Sequence, residues 1–100
     1  MEKNFTVEEI ERLAENVAVN KCHLSKRIYN KAIATAPYIY IERTEKGLVI
    51  EAVSAINSEL HHYWEELSKV LGDSNFEIYH VEHGIISKNL RSILIRVIVR

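Results

Sequence analysis

Apolar positions recur along this chain with two different periods, and the switches between them divide it into elements. Thr6-Val-Glu-Glu9 has the form of a capping box, in which the Thr hydroxyl accepts from the Glu9 backbone N–H while the Glu9 side chain reaches back. Val7, Ile10, Leu13 and Ala14 come next at helical spacing, which predicts a helix over residues 7–15. From Asn16 to Asn20 polar and apolar residues alternate, with Val17 and Val19 on one face, as in a half-buried strand. Lys21-Cys22-His23 reads as the turn after it. Leu24, Ile28, Ala32 and Thr35 then mark a helical face, and Pro37 disfavours helix at Ala36, so this second helix should stop at Ala34 or Thr35. Tyr38-Ile-Tyr-Ile41 is aromatic and β-branched, a strong strand signal.

Thr44-Glu45-Lys46-Gly47 interrupts that strand. Beyond it Val49, Val53, Ile56, Leu60, Tyr63, Leu67 and Val70 step by three and four, with Trp64 widening the stripe. This spacing predicts one long helix running to Leu71, ended by Gly72-Asp73 in the manner of a glycine cap. Phe76–Glu82 and Ser92–Val99 read as strands joined by a hairpin over Gly84–Leu90, which carries Lys88 and has Arg91 at its base. The expected fold is α+β: a leading helical extension over residues 1–15, then a two-layer βαβαββ sandwich over residues 16–100. Both sandwich helices should cover one sheet face and leave the other open.

Size and composition narrow the classes. One hundred residues fit a single domain, and 47% apolar content can supply a core. The longest apolar runs are too short to span a bilayer as a helix, the N-terminus is acidic, and the lone Cys22 cannot form an internal disulfide. The expectation is an intracellular, cytoplasmic protein without a membrane partner.

Charge changes the picture further. The net charge is −1, but it is segregated along the chain: −3 over residues 1–15, +4 over 16–47, −6 over 48–86 and +4 over 87–100. Segregated charge builds a local positive field on a nearly neutral molecule. Lys21, Lys26, Arg27, Lys31, Arg43 and Lys46 fall in the first basic stretch, opposed there only by Glu42 and Glu45.

Order and wording together resemble the Alba superfamily of small archaeal and eukaryotic nucleic-acid-binding proteins. Asn16-Val-Ala-Val-Asn-Lys21 is similar to that family's first strand and lysine turn. Tyr38–Ile41, the basic loop with Gly47 and Ile50-Glu-Ala-Val53 are similar to its second strand, Arg/Gly loop and following helix. Gly72-Asp73, Val81–Gly84 and Arg91-Ser-Ile-Leu-Ile-Arg96 are similar to its last helix end, third strand with hairpin, and fourth strand. The resemblance implies a dimer on duplex DNA or RNA, with the lysine turn and the basic loop on phosphates and the last hairpin as an arm. It assigns phosphate contacts to Lys21, Arg43 and Lys46, and to Lys88 and Arg91 in the arm. Cys22 and His23 stand where the family often has a second lysine and a proline. Those departures weaken a DNA-coating role, and the near-neutral charge favours RNA binding, or pairing with a more basic paralogue, over coating of a genome; a nucleoid or chromatin association follows if the source is archaeal.

Physical reasoning adds Lys26 and Arg27 to the candidate site, since they open a helix whose N-terminal amides attract anions. Two rival readings remain. Leu13–Arg27 resembles a helix-turn-helix with Ser25–Lys31 as recognition helix and Tyr38–Ala52 as wing. The chain can also be a structural subunit, like the Alba-type subunits of ribonuclease P-like complexes, that binds protein through its acidic helix and open sheet face. No enzyme is expected: there is no nucleophile motif, phosphate loop or outstanding carboxylate pair. No metal or cofactor is expected either, because His61 and His62 diverge on a helix and His80 and His83 take opposite faces of a strand.

Overall fold

The computed structural model describes residues 3–26 and 37–100. It is α+β, with two helices on one face of a five-stranded mixed sheet. In chain order these are α1 (Val7–Asn16) with a π-helical turn (Val17–Lys21), β1 (Ser25–Lys26), β2 (Tyr38–Arg43), β3 (Gly47–Ser54), α2 (Asn57–Leu71), β4 (Phe76–Ser87) and β5 (Leu90–Val99). The sheet order is β1-β2-β3-β5-β4. β2 and β3 form one antiparallel hairpin and β4 and β5 another; β5 lies antiparallel to β3, so β3 and β4 run parallel with β5 between them. β1 is a short parallel strand on the outside of β2.

The leading helix begins as its sequence dictates. Thr6 Oγ accepts from Glu9 N at 3.1 Å and Glu9 returns the bond to Thr6 N at 3.0 Å. Asn16–Asn20, by contrast, is helical and not the expected alternating strand. Ile10, Ala14, Val17 and Ala18 fall at i, i+4, i+7 and i+8, a continuous helical stripe, and all four are buried while Val19 is exposed. The helix therefore continues through a wider turn to Lys21. A boundary at residues 15/16 falls inside this one helical stretch, and Ile10 and Ala14 belong to the core. His23, at φ 56°, reverses the chain in the left-handed position where helices usually place glycine.

The second correction concerns Val49–Ile56, which the spacing assigns to the start of the long helix. Gly47–Ser54 is the central strand, bonded to β2 on one side and β5 on the other. A strand covered on both faces loses its polar alternation, and its apolar run can be read with either period. Gly47 fits only as glycine, since a Cβ there would stand 1.9 Å from the Val97 carbonyl oxygen. The helix starts at Asn57 instead, after Ser54 Oγ accepts from Ile56 N at 3.0 Å and donates to Glu59 Oε2 at 2.8 Å. At its far end Gly72 keeps right-handed angles (φ −54°, ψ −41°), so it is not the left-handed cap expected of it. The βαβαββ order is thus replaced, among the described residues, by α-β-β-β-α-β-β. The helix expected over Leu24–Thr35 lies mostly outside the described residues; Ser25 and Lys26 are extended.

Leu60, Tyr63, Leu67 and Leu71 of α2 pack with Ile10 and Ala14 of α1 on Leu48, Ile50, Ala52, Ile93, Ile95 and Val97. Burial of each large aliphatic side chain stabilises by about 1.5–3 kcal/mol. The opposite sheet face holds Tyr38, Tyr40, Val49, Glu51, Leu94, Arg96 and Ile98 half-buried and Val53 fully buried, so it is not the open plane expected. Among the described residues no helix is long and apolar enough to cross a membrane.

Candidate nucleic-acid interface

The sequence offers seven basic residues as the phosphate-contacting set, and the fold scatters the six of them that it describes. Lys21 closes the π-helical turn and lies 3.6 Å from Glu66 on α2. Lys26 in β1 meets Glu15 of α1 at 2.9 Å. Arg43, at the end of β2, is hydrogen-bonded to Glu11 and approached by Glu8 at 3.4 Å. The acidic leading helix thus lies against the basic stretch and neutralises it locally: two carboxylates face one guanidinium at Arg43. The Glu11 hydrogen bond and its charge hold the Arg43 guanidinium above its usual value. Burial works against the Glu66 carboxyl, yet Lys69 and Lys21 hold it below the usual carboxylate range. Exposed pairs of this kind add little stability. They do cancel the local field that a polyanion would follow.

Between Lys21 and β1 sits Cys22, a buried thiol. Burial, reinforced by Glu66 and Glu59, pushes it above its ordinary value, and Lys21 only partly opposes them. It is a packing group and a poor nucleophile.

Lys46, Lys88 and Arg91 form no ion pair among the described residues, but they do not meet. The Lys46 carbonyl accepts from Val99 N at 2.8 Å, at one end of β5, while Arg91 lies at the other. At about 3.3 Å per residue these ends are roughly 25–30 Å apart. Arg27 lies outside the described residues.

The end that carries Arg91 is the more developed. Arg91 is the last β5 residue with a β3 partner, Ser54; beyond it the β4–β5 hairpin projects alone to a two-residue turn at Lys88-Asn89. The strands run to Ser87 and from Leu90, so the arm is longer than the expected Gly84–Leu90 loop. Residues 83–92 hold Lys88 and Arg91 and no acid. Between this arm and the start of α2 is a cavity of about 510 Å³ lined by Asn57, His83, Gly84, Ile85, Arg91 and Ser92. A second, of about 330 Å³, shares Asn57 and His83 and adds Ser58, Leu60 and His61. No side chain of the preceding residue caps α2, so its positive dipole end opens onto this notch, moderated by Glu59 in the first turn.

Sequence reasoning misses Asn57, His83 and Ile85 as lining residues. The acid-free stretch from His83 to Ser92 is the signal that could have found the last two. His80 and His83 do take opposite faces, opposite Arg96 and Ile93 respectively. The helical turn at Val17–Asn20 suits the helix-turn-helix reading, but Ser25–Lys26 are extended where its recognition helix should start, and Tyr38–Ala52 is central sheet and not a wing. No group of three or more His, Cys, Asp or Glu side chains among the described residues is placed to hold a metal ion. No protein-family model, curated protein or solved structure matches this chain.

Proposed function

We propose that this protein is a non-enzymatic nucleic-acid-binding protein that contacts phosphates with its β4–β5 arm, and not with the lysine turn and basic loop. The observation that carries the reading is Arg91: a guanidinium with no acidic partner among the described residues, lining a notch beside the start of α2, at the root of an arm whose tip carries Lys88. Ser87 and Asn89 flank Lys88 with further hydrogen-bonding groups. The Alba resemblance supports a nucleic-acid partner and an arm. Its strand order is not that of the described residues, so the reading rests on the arm itself.

The number of free cations sets the expected strength. Five or six phosphate contacts would cost roughly a thousandfold in affinity between 50 and 200 mM salt, whereas two cost about tenfold. With Lys21, Lys26 and Arg43 engaged internally, the arm itself offers two, Lys88 and Arg91, and binding through it is weak and mildly salt-dependent. This favours a transient RNA- or DNA-associated role over coating of a genome. The test is fluorescence anisotropy on duplex DNA and duplex RNA across a salt series. Binding to either, with a log–log slope near −2 per protomer that falls by about one unit in Arg91→Ala, supports the reading. Unchanged binding in Arg91→Ala with Lys88→Ala overturns it.

One observation favours a second reading, a structural subunit that binds another protein. Ile85 and Ile86 on the arm are 69% and 48% exposed. Absence of any binding to DNA or RNA in low salt by a well-folded chain would select it.

A further inference from the structure

The two hollows beside the arm form one cleft with unlike ends. Asn57 and His83 line both, so the hollows abut at those residues. Across the hairpin Ile85 pairs with Arg91 and His83 with Ile93, whose side chain is buried in the core. His83, Ile85 and Arg91 therefore share the sheet face on which α2 packs. Arg91 is the diagonal neighbour of His83, roughly 7–8 Å away. α2 starts only at Asn57 and leaves this end of the face uncovered.

Chemistry divides the cleft. The hollow of about 510 Å³ carries Arg91, which has no acidic partner among the described residues. The hollow of about 330 Å³ is lined by two imidazoles, His61 and His83, with Leu60 and Ser58. Glu65 Oε1 meets His61 Nε2 at 2.8 Å, one turn further along α2. Neither lining contains an acid, and Glu59, in the first turn of α2, accepts from Ser54 at 2.8 Å. A guanidinium suits a phosphate, and flat imidazole rings suit the face of a base. Both volumes fall in the range of small-ligand pockets, roughly 300–1,000 Å³. In a duplex the base faces are stacked and paired, so a ring-lined hollow beside the phosphate contact would stand idle. A single strand presents phosphate and base together.

We propose, on the footing of the arm reading above, that the cleft takes one unstacked nucleotide of a single strand, its phosphate at Arg91 and its base in the hollow lined by His61 and His83.

The test is fluorescence anisotropy of the full chain in low salt. The labelled probes are a short single strand of RNA, the same strand as DNA, the matching duplexes, and an abasic strand of equal length. A single strand of RNA or DNA should bind at least about fivefold tighter than its duplex and the abasic strand, the gain expected from stacking one base on an aromatic ring. His83→Ala and His61→Ala should each lower single-strand affinity and leave the abasic strand unchanged. His83→Phe, which keeps a flat ring, should retain the preference, and Arg91→Ala should weaken every probe. Both histidines are exposed, so circular dichroism should confirm an unchanged fold. Equal affinity for strand, duplex and abasic strand overturns the proposal and leaves the arm reading intact. So does a single-strand preference that ignores both histidines. Binding that ignores Arg91→Ala with Lys88→Ala, or no binding to any probe, overturns both.

Discussion

Arg43 is clamped by Glu11 of the first helix, and Glu8 approaches the same guanidinium at 3.4 Å. A residue that sequence alone would offer to phosphate is therefore committed inside the chain. Arg43→Ala, alone or with Lys21→Ala, should leave nucleic-acid affinity within about twofold, because neither group contributes a free charge. Arg91→Ala should lower it severalfold and reduce the salt slope by about one unit. Anisotropy titrations of the three variants, at two salt concentrations, decide between the basic loops and the arm. Glu8→Gln with Glu11→Gln sharpens the comparison: freeing Arg43 should strengthen binding and steepen the slope.

One buried hydroxyl links the two helices. Tyr63 Oη donates to the Ala14 carbonyl at 3.2 Å, just ahead of the π-helical segment, and burial raises the phenol above its ordinary value. Tyr63→Phe keeps the ring and removes the bond, so it should cost about 1 kcal/mol. In a domain of this size that is a fall in Tm of about 4–8 °C. Tyr63→Ala would add the loss of a large core side chain, about 3–5 kcal/mol by analogy with Phe→Ala. Denaturant unfolding of both variants separates the hydroxyl from the ring.

Gly47 enters the central strand where the backbone of β5 crosses closest. With the Val97 carbonyl oxygen 1.9 Å from any added Cβ, neither group can yield without breaking the β3–β5 register. Gly47→Ala should cost several kcal/mol, at the extreme end of single substitutions, and leave little folded protein. Gly72→Ala is the control, since its Cβ would meet helix carbonyl oxygens only at 3.5 and 3.6 Å and its angles are helical. That variant should be as stable as the parent or more so. Chemical denaturation of the two variants side by side makes the comparison.

Glu66 couples stability to acid. Its carboxyl, held low in the folded chain by Lys69 and Lys21 against the opposing effect of burial, takes up a proton more readily once the chain unfolds. The contribution is complete above the ordinary carboxylate value and is lost as pH falls through the lowered one. The stability difference between the parent and Glu66→Gln should therefore shrink steadily as pH drops through the carboxylate range. A difference that stays constant with pH would show that Glu66 acts through packing alone.

Legible and illegible parts of the sequence divide along physical lines. The capping box at Thr6 and Glu9, the aromatic strand at Tyr38 and the paired strands after Phe76 carry local signals that outweigh context, and each is present. Val17–Asn20 and Val49–Ser54 carry patterns that satisfy two periods at once. Ala14 and Ala18 are the arbiters in the first case, because small apolar residues extend a helical stripe without marking a strand. In the second, burial on both faces removes the alternation that identifies strands. The basic stretch is a different case. Linear charge counting places Lys26 and Arg43 among cations, while folding brings Glu8, Glu11 and Glu15 onto them from the preceding acidic segment. Pairing across the fold is invisible to a one-dimensional sum.

The turn at Lys21-Cys22-His23 gives the last test, because two readings of it predict opposite results. As a phosphate-facing turn it would gain from His23's hydrogen-bonding ring. In the fold it is a helix terminus: His23 occupies the left-handed region at φ 56°, and Leu24 N donates back to the Ala18 carbonyl at 2.9 Å. Left-handed angles cost a side-chain-bearing residue about 1–2 kcal/mol, part of which glycine returns as lost freedom of the unfolded chain. His23→Gly should therefore stabilise by about 0.5–1 kcal/mol, and His23→Val, branched at Cβ, should destabilise. Neither should alter nucleic-acid binding. Thermal unfolding and anisotropy on the same two variants supply the answer: a stabilised glycine variant with unchanged affinity marks a cap, and a weakened complex marks an interface.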